Sequence, residues 1–222
     1  MMSFEPILAA AIARIGEDEL HRRLPEVKDA AALEALPDDR YLSLMSLRVF
    51  RAGLKHSVVD AKWPGFEDAF QGFALDSVRA MSDEDVETLM TDRRLIRHWG
   101  KLRSVRNNAA AMAEITVERG SFGHFLAAWP ADRTVELWAE LGRRFDQLGG
   151  ESAPRFLRMA GRDTFILSPS VTAALQRWDV MEAPPKSKAE RLKVQDIFNL
   201  WAAATGRKLA HLSMILASSV DD

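Results

Sequence analysis

The sequence contains no cysteine among its 222 residues. Without cysteine the chain has no disulfide bond, no thiolate-bound zinc and no thiol nucleophile. No stretch approaches the ~18 continuous apolar residues that predict a membrane-spanning helix. The N-terminal segment also lacks the basic start and small-residue cleavage site of a secretory signal. We therefore predict a cytoplasmic protein with no membrane partner.

A strong net charge is also lacking, but the charge is unevenly distributed. The formal net charge is −2. Residues 1–92 contain 10 basic and 18 acidic residues, whereas residues 93–162 contain 13 basic and 7 acidic residues. A basic segment within an acidic chain indicates a surface that faces a polyanion such as nucleic acid. The alternative is an arginine-rich helical surface that faces only solvent.

What the chain does contain is the spacing of amphipathic helices. In "SLRVFRAGLKHSVVDAKW" the apolar residues recur at helical spacing. These residues are Leu47, Phe50, Leu54 and Val58. Ser82 and Asp85 form the pattern of a capping box, and only "DTFILSP" resembles a strand, too short to form a sheet. The sequence therefore predicts an all-α fold of about ten helices.

The segment "RRFDQLGGESAPRFLRMAG" predicts two helices joined by a hairpin whose tip is Leu148, Gly149 and Gly150. Glycine permits positive φ and close approach of the backbone to a ligand. The free amides at the start of the second helix bind anions well. Four basic residues lie nearby in the sequence: Arg143, Arg144, Arg155 and Arg158. The pattern fits a phosphate clamp, and an ordinary helical turn with a glycine cap is the alternative.

A second basic run, "RRLIRHWGKLRSVRNN", interleaves cations with an aromatic residue. Trp99 and His98 lie among Arg93, Arg97, Lys101 and Arg103. This combination suits a phosphate backbone and an unstacked base. Alternatively, Trp99 belongs to the core and the basic side chains are merely solvated.

Three segments resemble the 3-methyladenine DNA glycosylase I family, which belongs to the helix-hairpin-helix DNA glycosylase superfamily. They are "RVFRAGLKHSVVDAKWPGFEDAFQGF", "MSDEDVETLMTDRRLIRHWGKLRSVRNNA" and "FLRMAGRDTFILSPSV". The resemblance implies an all-α, two-lobed bundle, folded as one glycosylase-like domain over residues 1–222. Residues 41–175 would form the family-like core, with the hairpin at 141–161, between divergent N-terminal helices (1–40) and C-terminal helices (176–222).

The resemblance implies base excision repair, in which the glycosidic bond of a flipped, alkylated adenine is hydrolysed. The implied partner is duplex DNA that contains a damaged base, and we expect a monomer. We predict Phe50, Trp63, Trp99 and Ser168 as base-pocket residues, and the alternative for the three aromatic residues is a place in the core. Ser168 lies near the place where many superfamily members carry a catalytic aspartate, which the methyladenine family also lacks. The implied DNA-binding residues are Leu148, Gly149, Gly150, Ser152, Arg97, Lys101 and Arg155. The family's cysteine-and-histidine zinc signature is missing, so we expect no cofactor and no zinc.

Two departures from the family pattern fall at the candidate catalytic positions. Arg48 stands where family members carry a base-recognising glutamate, and His56 stands where a tryptophan stacks in the pocket. Arginine stays protonated and would repel a cationic base. His56 could stack on a base or position a water molecule, and an ordinary core or surface histidine is the alternative.

The sequence leaves several interpretations of Arg48 open. Another carboxylate could enter the pocket, the nearby candidates being Asp60, Glu67 and Asp68. The substrate could be a neutral, acceptor-rich base, or the protein could bind DNA without catalysis. Arg48 could also form a structural ion pair with an acid of the N-terminal third. A helical scaffold that binds protein through this acidic third is a further alternative.

Overall fold

A computed structural model describes residues 3–220, and these residues form α-helices without any β-strand. The all-α prediction is therefore confirmed, although several predicted segments divide into shorter helices. None of the helices within residues 3–220 is long and apolar enough to cross a membrane. The helices are α1 (Glu5–Ile15), α2 (Glu17–Arg23), α3 (Ala30–Ala35), α4 (Asp38–Arg51), α5 (His56–Ala69), α6 (Leu75–Arg79), α7 (Asp83–Leu89), α8 (Trp99–Arg119), α9 (Phe122–Ala128), α10 (Thr134–Arg144), α11 (Ser152–Ala160), α12 (Pro169–Arg177), α13 (Lys188–Thr205) and α14 (Leu209–Ser218).

The chain forms two compact units. The hairpin unit comprises Asp29–Trp129 and Trp138–Ala160, and the terminal unit comprises Met1–Lys28, Pro130–Leu137 and Gly161–Asp222. Every predicted site residue except Ser168 belongs to the hairpin unit. The segment boundaries at residues 40 and 175 remain predictions.

The hairpin unit is built on α4, which packs against α8 and α11. Its apolar face is buried, and the Tyr41 hydroxyl on that face donates a hydrogen bond to the Leu33 carbonyl at 2.7 Å. The Phe122 ring lies within 5.2–6.2 Å of the rings of Tyr41, Phe125, Phe145 and Phe156. This aromatic cluster joins α4 and α9 to both sides of the hairpin.

The predicted apolar stripe of "SLRVFRAGLKHSVVDAKW" is wrong beyond Phe50. Helix α4 ends at Arg51, and Gly53 adopts a left-handed conformation with φ of 75°. A left-handed residue stops the helical period, so the apolar residues that follow no longer share the buried face. Leu54 and Val58 are instead 41% and 50% exposed.

The terminal unit is built on α14, which packs against α1, α12 and α13. The strand-like "DTFILSP" is extended because it pairs with this helix. The Asp163 carboxylate accepts hydrogen bonds from the Leu209 and Ala210 amides at 3.1 and 2.9 Å. The Ser213 hydroxyl accepts from the Ile166 amide and donates to the Ile166 carbonyl. Backbone amides at the start of α14 and the Ser213 side chain thus replace a sheet as the partner of this segment.

Asp38 ties three helices of the hairpin unit together. It lies at the start of α4, and its carboxylate accepts hydrogen bonds from the Thr116 hydroxyl at 2.5 Å and the Phe122 amide at 2.9 Å. We expect Asp38→Ala to lower the free energy of unfolding by about 1–3 kcal/mol, because a buried donor loses its partner. Denaturant unfolding followed by circular dichroism measures the change.

The matched control is Asp76→Ala, which removes an 88% exposed carboxylate from α6. Its ion pair with Arg79 is solvent-screened, so the stability should stay close to that of the parent protein. Equal stability losses in the two variants would contradict the bridging role of Asp38.

Candidate nucleic-acid interface

The hairpin between α10 and α11 presents its glycine tip to solvent. Gly149 and Gly150 are exposed, and a side chain built at either position would meet no atom within 4 Å. Gly150 has a φ of +58°, which favours glycine. Leu148 is fully buried, and the Ser152 amide donates to the Gly149 carbonyl at 3.2 Å. The tip is therefore an open stretch of backbone anchored by one buried side chain.

The hairpin is held by two asparagines of α8 whose role the sequence left open. Asn108 is 1% exposed. Its amide group donates to the Asp146 carbonyl at 3.1 Å and accepts from the Asp146 amide at 2.7 Å. Asn107 donates to the Asp146 carboxylate at 2.7 Å. The two polar residues in "SVRNNA" are the sequence signal for this brace, but the sequence does not show what they bind.

Arg48 lies in the last turn of α4, close to the start of α11. Its Nε atom is buried and has no hydrogen-bond partner among the described residues. Burial lowers the pKa of Arg48, the charge of Arg155 lowers it further, and Glu151 opposes both effects. Arg48 forms no ion pair with any acid in the described part of the chain, so a structural ion pair does not explain this residue.

Lys101 adds a second half-buried cation beside Arg48. Its ammonium donates to the Ala52 carbonyl at 2.6 Å and to the Phe50 carbonyl at 3.4 Å. These carbonyls lie at the C-terminal end of α4, where the helix dipole favours positive charge. Burial lowers the pKa of Lys101, and the charge of Arg48 lowers it further. We refer to Arg48, Arg51, Lys101 and Arg155 as the cationic cluster.

The three candidate carboxylates do not neutralise Arg48, because each pairs with another arginine. The pairs are Glu67 with Arg40 at 3.1 Å, Asp60 with Arg51 at 2.7 Å and Asp68 with Arg94 at 2.6 Å. Glu67 also accepts a hydrogen bond from the Ser43 hydroxyl at 2.6 Å. The idea that one of these acids takes the place of the family glutamate at Arg48 therefore has no geometric support.

Trp63 lies at the edge of an aromatic cluster. Its indole Nε1 donates to the Ser43 hydroxyl at 3.2 Å, and its ring stacks with Phe66 and Phe73 at centroid distances of 4.9 and 5.5 Å. The Phe50 ring is fully buried and lies 4.5 Å from the Phe66 ring. Trp63 is half-buried, so it reaches the surface where Phe50 does not.

A left-handed turn fixes one of these aromatic partners. Gln71, Gly72 and Phe73 have φ values of 52°, 66° and 59°. Such backbone persists only where surrounding contacts hold it. Arg40 supplies them, since its guanidinium donates to the Gly72 carbonyl and binds Glu67 through two nitrogens. Glu67 therefore has a structural role, since it binds the arginine that holds this turn.

The other predicted site residues are dispersed. His56 is exposed at the first position of α5, and Arg97 is exposed just before α8. Trp99 is the half-buried first residue of α8. Ser152 is buried at the start of α11. Ser168 belongs to the terminal unit, where its hydroxyl accepts from the Val171 amide at 3.2 Å, and its role in a base pocket remains a prediction.

Acids within the hairpin unit neutralise part of the basic segment. Arg143 and Arg144 both bind Glu140, at 2.6 and 2.7 Å, and this pairing lowers the pKa of Glu140. By contrast, Arg97 and Arg103 are exposed and form no ion pair with any of residues 3–220. A phosphate-facing surface would therefore depend on fewer cations than the charge count suggests.

We predict that Asn108→Ala loosens the hairpin tip while the helical core of the unit stays folded. Two hydrogen bonds to the Asp146 backbone are lost, each worth about 1 kcal/mol, so amide exchange at residues 146–150 should accelerate about tenfold or more. Hydrogen–deuterium exchange followed by mass spectrometry measures this.

Asn107→Ala is the matched control, since it removes one hydrogen bond to an exposed carboxylate and leaves the Asp146 backbone held. The brace is disproved if exchange at the tip is the same in the Asn108 variant as in the parent.

Comparison with known proteins identifies the sequence relatives. The sequence model of the methyladenine glycosylase family matches residues 33–144. DNA-3-methyladenine glycosylase 1 of Escherichia coli (strain K12) is 31% identical over 87 residues, which are 39% of this chain and 46% of that protein. The chain thus matches about half the length of this curated relative.

Solved structures share the fold. A Staphylococcus aureus 3-methyladenine DNA glycosylase I aligns with a TM-score of 0.53 at 22% identity, over 68% of this chain and 91% of its own. A Methanocaldococcus jannaschii 8-oxoguanine glycosylase/lyase, solved with DNA containing 8-oxoguanine, aligns with a TM-score of 0.55 at 14% identity, over 95% and 93%. These likenesses concern the fold, and they confirm the predicted helix-hairpin-helix glycosylase architecture.

Proposed function

Because the chain belongs to the methyladenine glycosylase family, we propose that it is a DNA glycosylase of base excision repair. It would hydrolyse the N-glycosidic bond of a damaged base in duplex DNA, with alkylated bases such as 3-methyladenine as the class that the family name indicates. The observation that carries the proposal is the exposed Gly149–Gly150 tip braced by Asn108. A fixed, open backbone turn at a helix start is suited to holding a phosphate strand.

The reaction requires the target nucleotide to leave the base stack. Enzymes that act on a base extrude it from the duplex, at a cost of a few kcal/mol. Leu54 and Val58 are exposed apolar side chains beside His56, and such side chains commonly fill the gap that a flipped base leaves. Water then adds to C1′ as the glycosidic bond breaks and the nucleobase leaves. The proton that the water loses passes to a general base of the protein or to solvent. In this proposal His56, which is exposed at the first position of α5, accepts that proton.

Base release from damaged DNA tests the proposal directly. We expect the purified protein to release free bases from methylated duplex DNA, with chromatography detecting 3-methyladenine above the rate in buffer. A heat-denatured sample controls for spontaneous depurination. Circular dichroism confirms that the assayed protein is folded.

Two negative results would have different meanings. Salt-sensitive duplex binding without release of any base would favour a catalytically silent DNA-binding relative, which the arginine at position 48 motivates. Failure to bind duplex DNA even at low salt would exclude both functions and leave a helical scaffold for protein binding.

The hairpin can be tested by placing charge at its tip. Gly149 is not among the residues with positive φ and has free space around it, so substitution there avoids the strain expected at Gly150. We expect Gly149→Asp to weaken duplex binding about tenfold or more, because a carboxylate beside a phosphate is repelled. Fluorescence anisotropy with a labelled duplex measures the dissociation constant across several salt concentrations.

Gly149→Asn is the matched control, since it has the same shape without the charge. It should bind several times more tightly than Gly149→Asp at low salt, and the difference should shrink as salt screens the charge. Equal, parent-like binding by both variants would remove the hairpin from the DNA interface.

A further inference from the structure

The cationic cluster places more positive charge at the end of α4 than the nearby acids neutralise. Within residues 3–220, Arg48 and Lys101 form no ion pair. The other two members pair with acids, Arg51 with Asp60 at 2.7 Å and Arg155 with Glu151 at 3.5 Å. Two half-buried positive charges therefore lack an anionic partner.

Arg48 also keeps an unused hydrogen-bond donor. Its Nε–H is buried and has no acceptor among the described residues. Arginine offers donors and no acceptor, so this group is satisfied only by an oxygen or nitrogen lone pair. Lys101 differs, because backbone carbonyls at the end of α4 already bind its ammonium.

We propose that Arg48 receives a neutral damaged base that carries a carbonyl oxygen, such as an oxidised or deaminated purine, in preference to the cationic N3-methyladenine. This inference rests on the proposed function, since it concerns which base is excised. A cationic base would add another positive charge beside Arg48 and Lys101. A carbonyl oxygen, by contrast, can accept a hydrogen bond from the guanidinium of Arg48, whose side chain is half-buried and forms no ion pair among the described residues.

The positive charge of Arg48 would also stabilise the base as it leaves. When the C1′–N bond of a neutral nucleotide breaks, the base takes the bonding electron pair and leaves as an anion. In a base with a conjugated carbonyl, part of that charge moves to the oxygen, where the Arg48 guanidinium can stabilise it. Water adds to C1′, and the proton it releases goes to His56 or to solvent. A cationic base leaves neutral and needs no such stabilisation.

The experiment measures base release from four matched duplexes under single-turnover conditions. Each contains one lesion in the same sequence: hypoxanthine, 8-oxoguanine, uracil or N3-methyladenine. We expect the parent protein to release at least one carbonyl-bearing base about tenfold faster than N3-methyladenine, each rate being corrected for spontaneous loss.

Arg48→Gln removes the charge while keeping a polar side chain. We expect it to slow release of the carbonyl-bearing base about tenfold or more, and to speed release of N3-methyladenine, because the charge that repels a cationic base is gone. Arg48→Glu with His56→Trp should raise N3-methyladenine release above that of the parent protein. Arg79→Gln is the control, since it removes the same charge from an exposed site on α6.

The possible results separate this inference from the proposed function. Faster release of N3-methyladenine by the parent protein would overturn the inference while the glycosylase function stands. No release from any duplex would overturn both. An equal loss for every lesion in Arg48→Gln, with weaker binding to undamaged duplex, would show that Arg48 binds a backbone phosphate and would also overturn the inference.

Discussion

The conformation of the hairpin depends on the buried side-chain amide of Asn108. Asn108 satisfies both backbone groups of Asp146, so the turn before the glycine tip is fixed by α8 and needs no long side-chain network of its own. The same helix carries Lys101, whose ammonium closes the end of α4. Thus α8 fixes both the hairpin and the end of the helix that carries Arg48. In the proposed function this arrangement favours binding of a phosphate strand, because the backbone of the hairpin is positioned before any ligand arrives.

Several acids of the hairpin unit form ion pairs with nearby arginines. Glu67 binds the arginine that holds the left-handed turn, and Glu140 binds two arginines on α10. The three candidate acids near Arg48 in the sequence, Asp60, Glu67 and Asp68, are all engaged in such pairs. Arg48, by contrast, forms no ion pair with any acid among residues 3–220. Burial without an ion pair is costly for a guanidinium, and groups in that condition are more frequent at binding sites than on ordinary surfaces.

Much of this architecture could be predicted from the sequence, because capping boxes, glycine tips and helical spacing are local signals. Ser82 and Asp85 form the predicted capping box, and the predicted glycine tip is exposed. The apolar stripe failed at Gly53, because a single left-handed residue changes the face presented by everything after it. The pairing of Glu67 could not be foreseen, since its partners lie 24 and 27 residues away. The site therefore rests on tertiary contacts that no spacing rule encodes.

If Arg48 reads the base, as we propose, the replacement of the family's glutamate by arginine changes more than affinity. A carboxylate stabilises a base that is already positive and leaves neutral, so it selects the ground state of a labile nucleotide. A guanidinium stabilises charge that appears only as the bond breaks, so its benefit is concentrated in the transition state. Neutral bases have stable glycosidic bonds, so their excision requires this stabilisation of the transition state. The fold that serves one class of lesion can therefore serve another through the sign of one charge, provided that the hairpin still holds the strand.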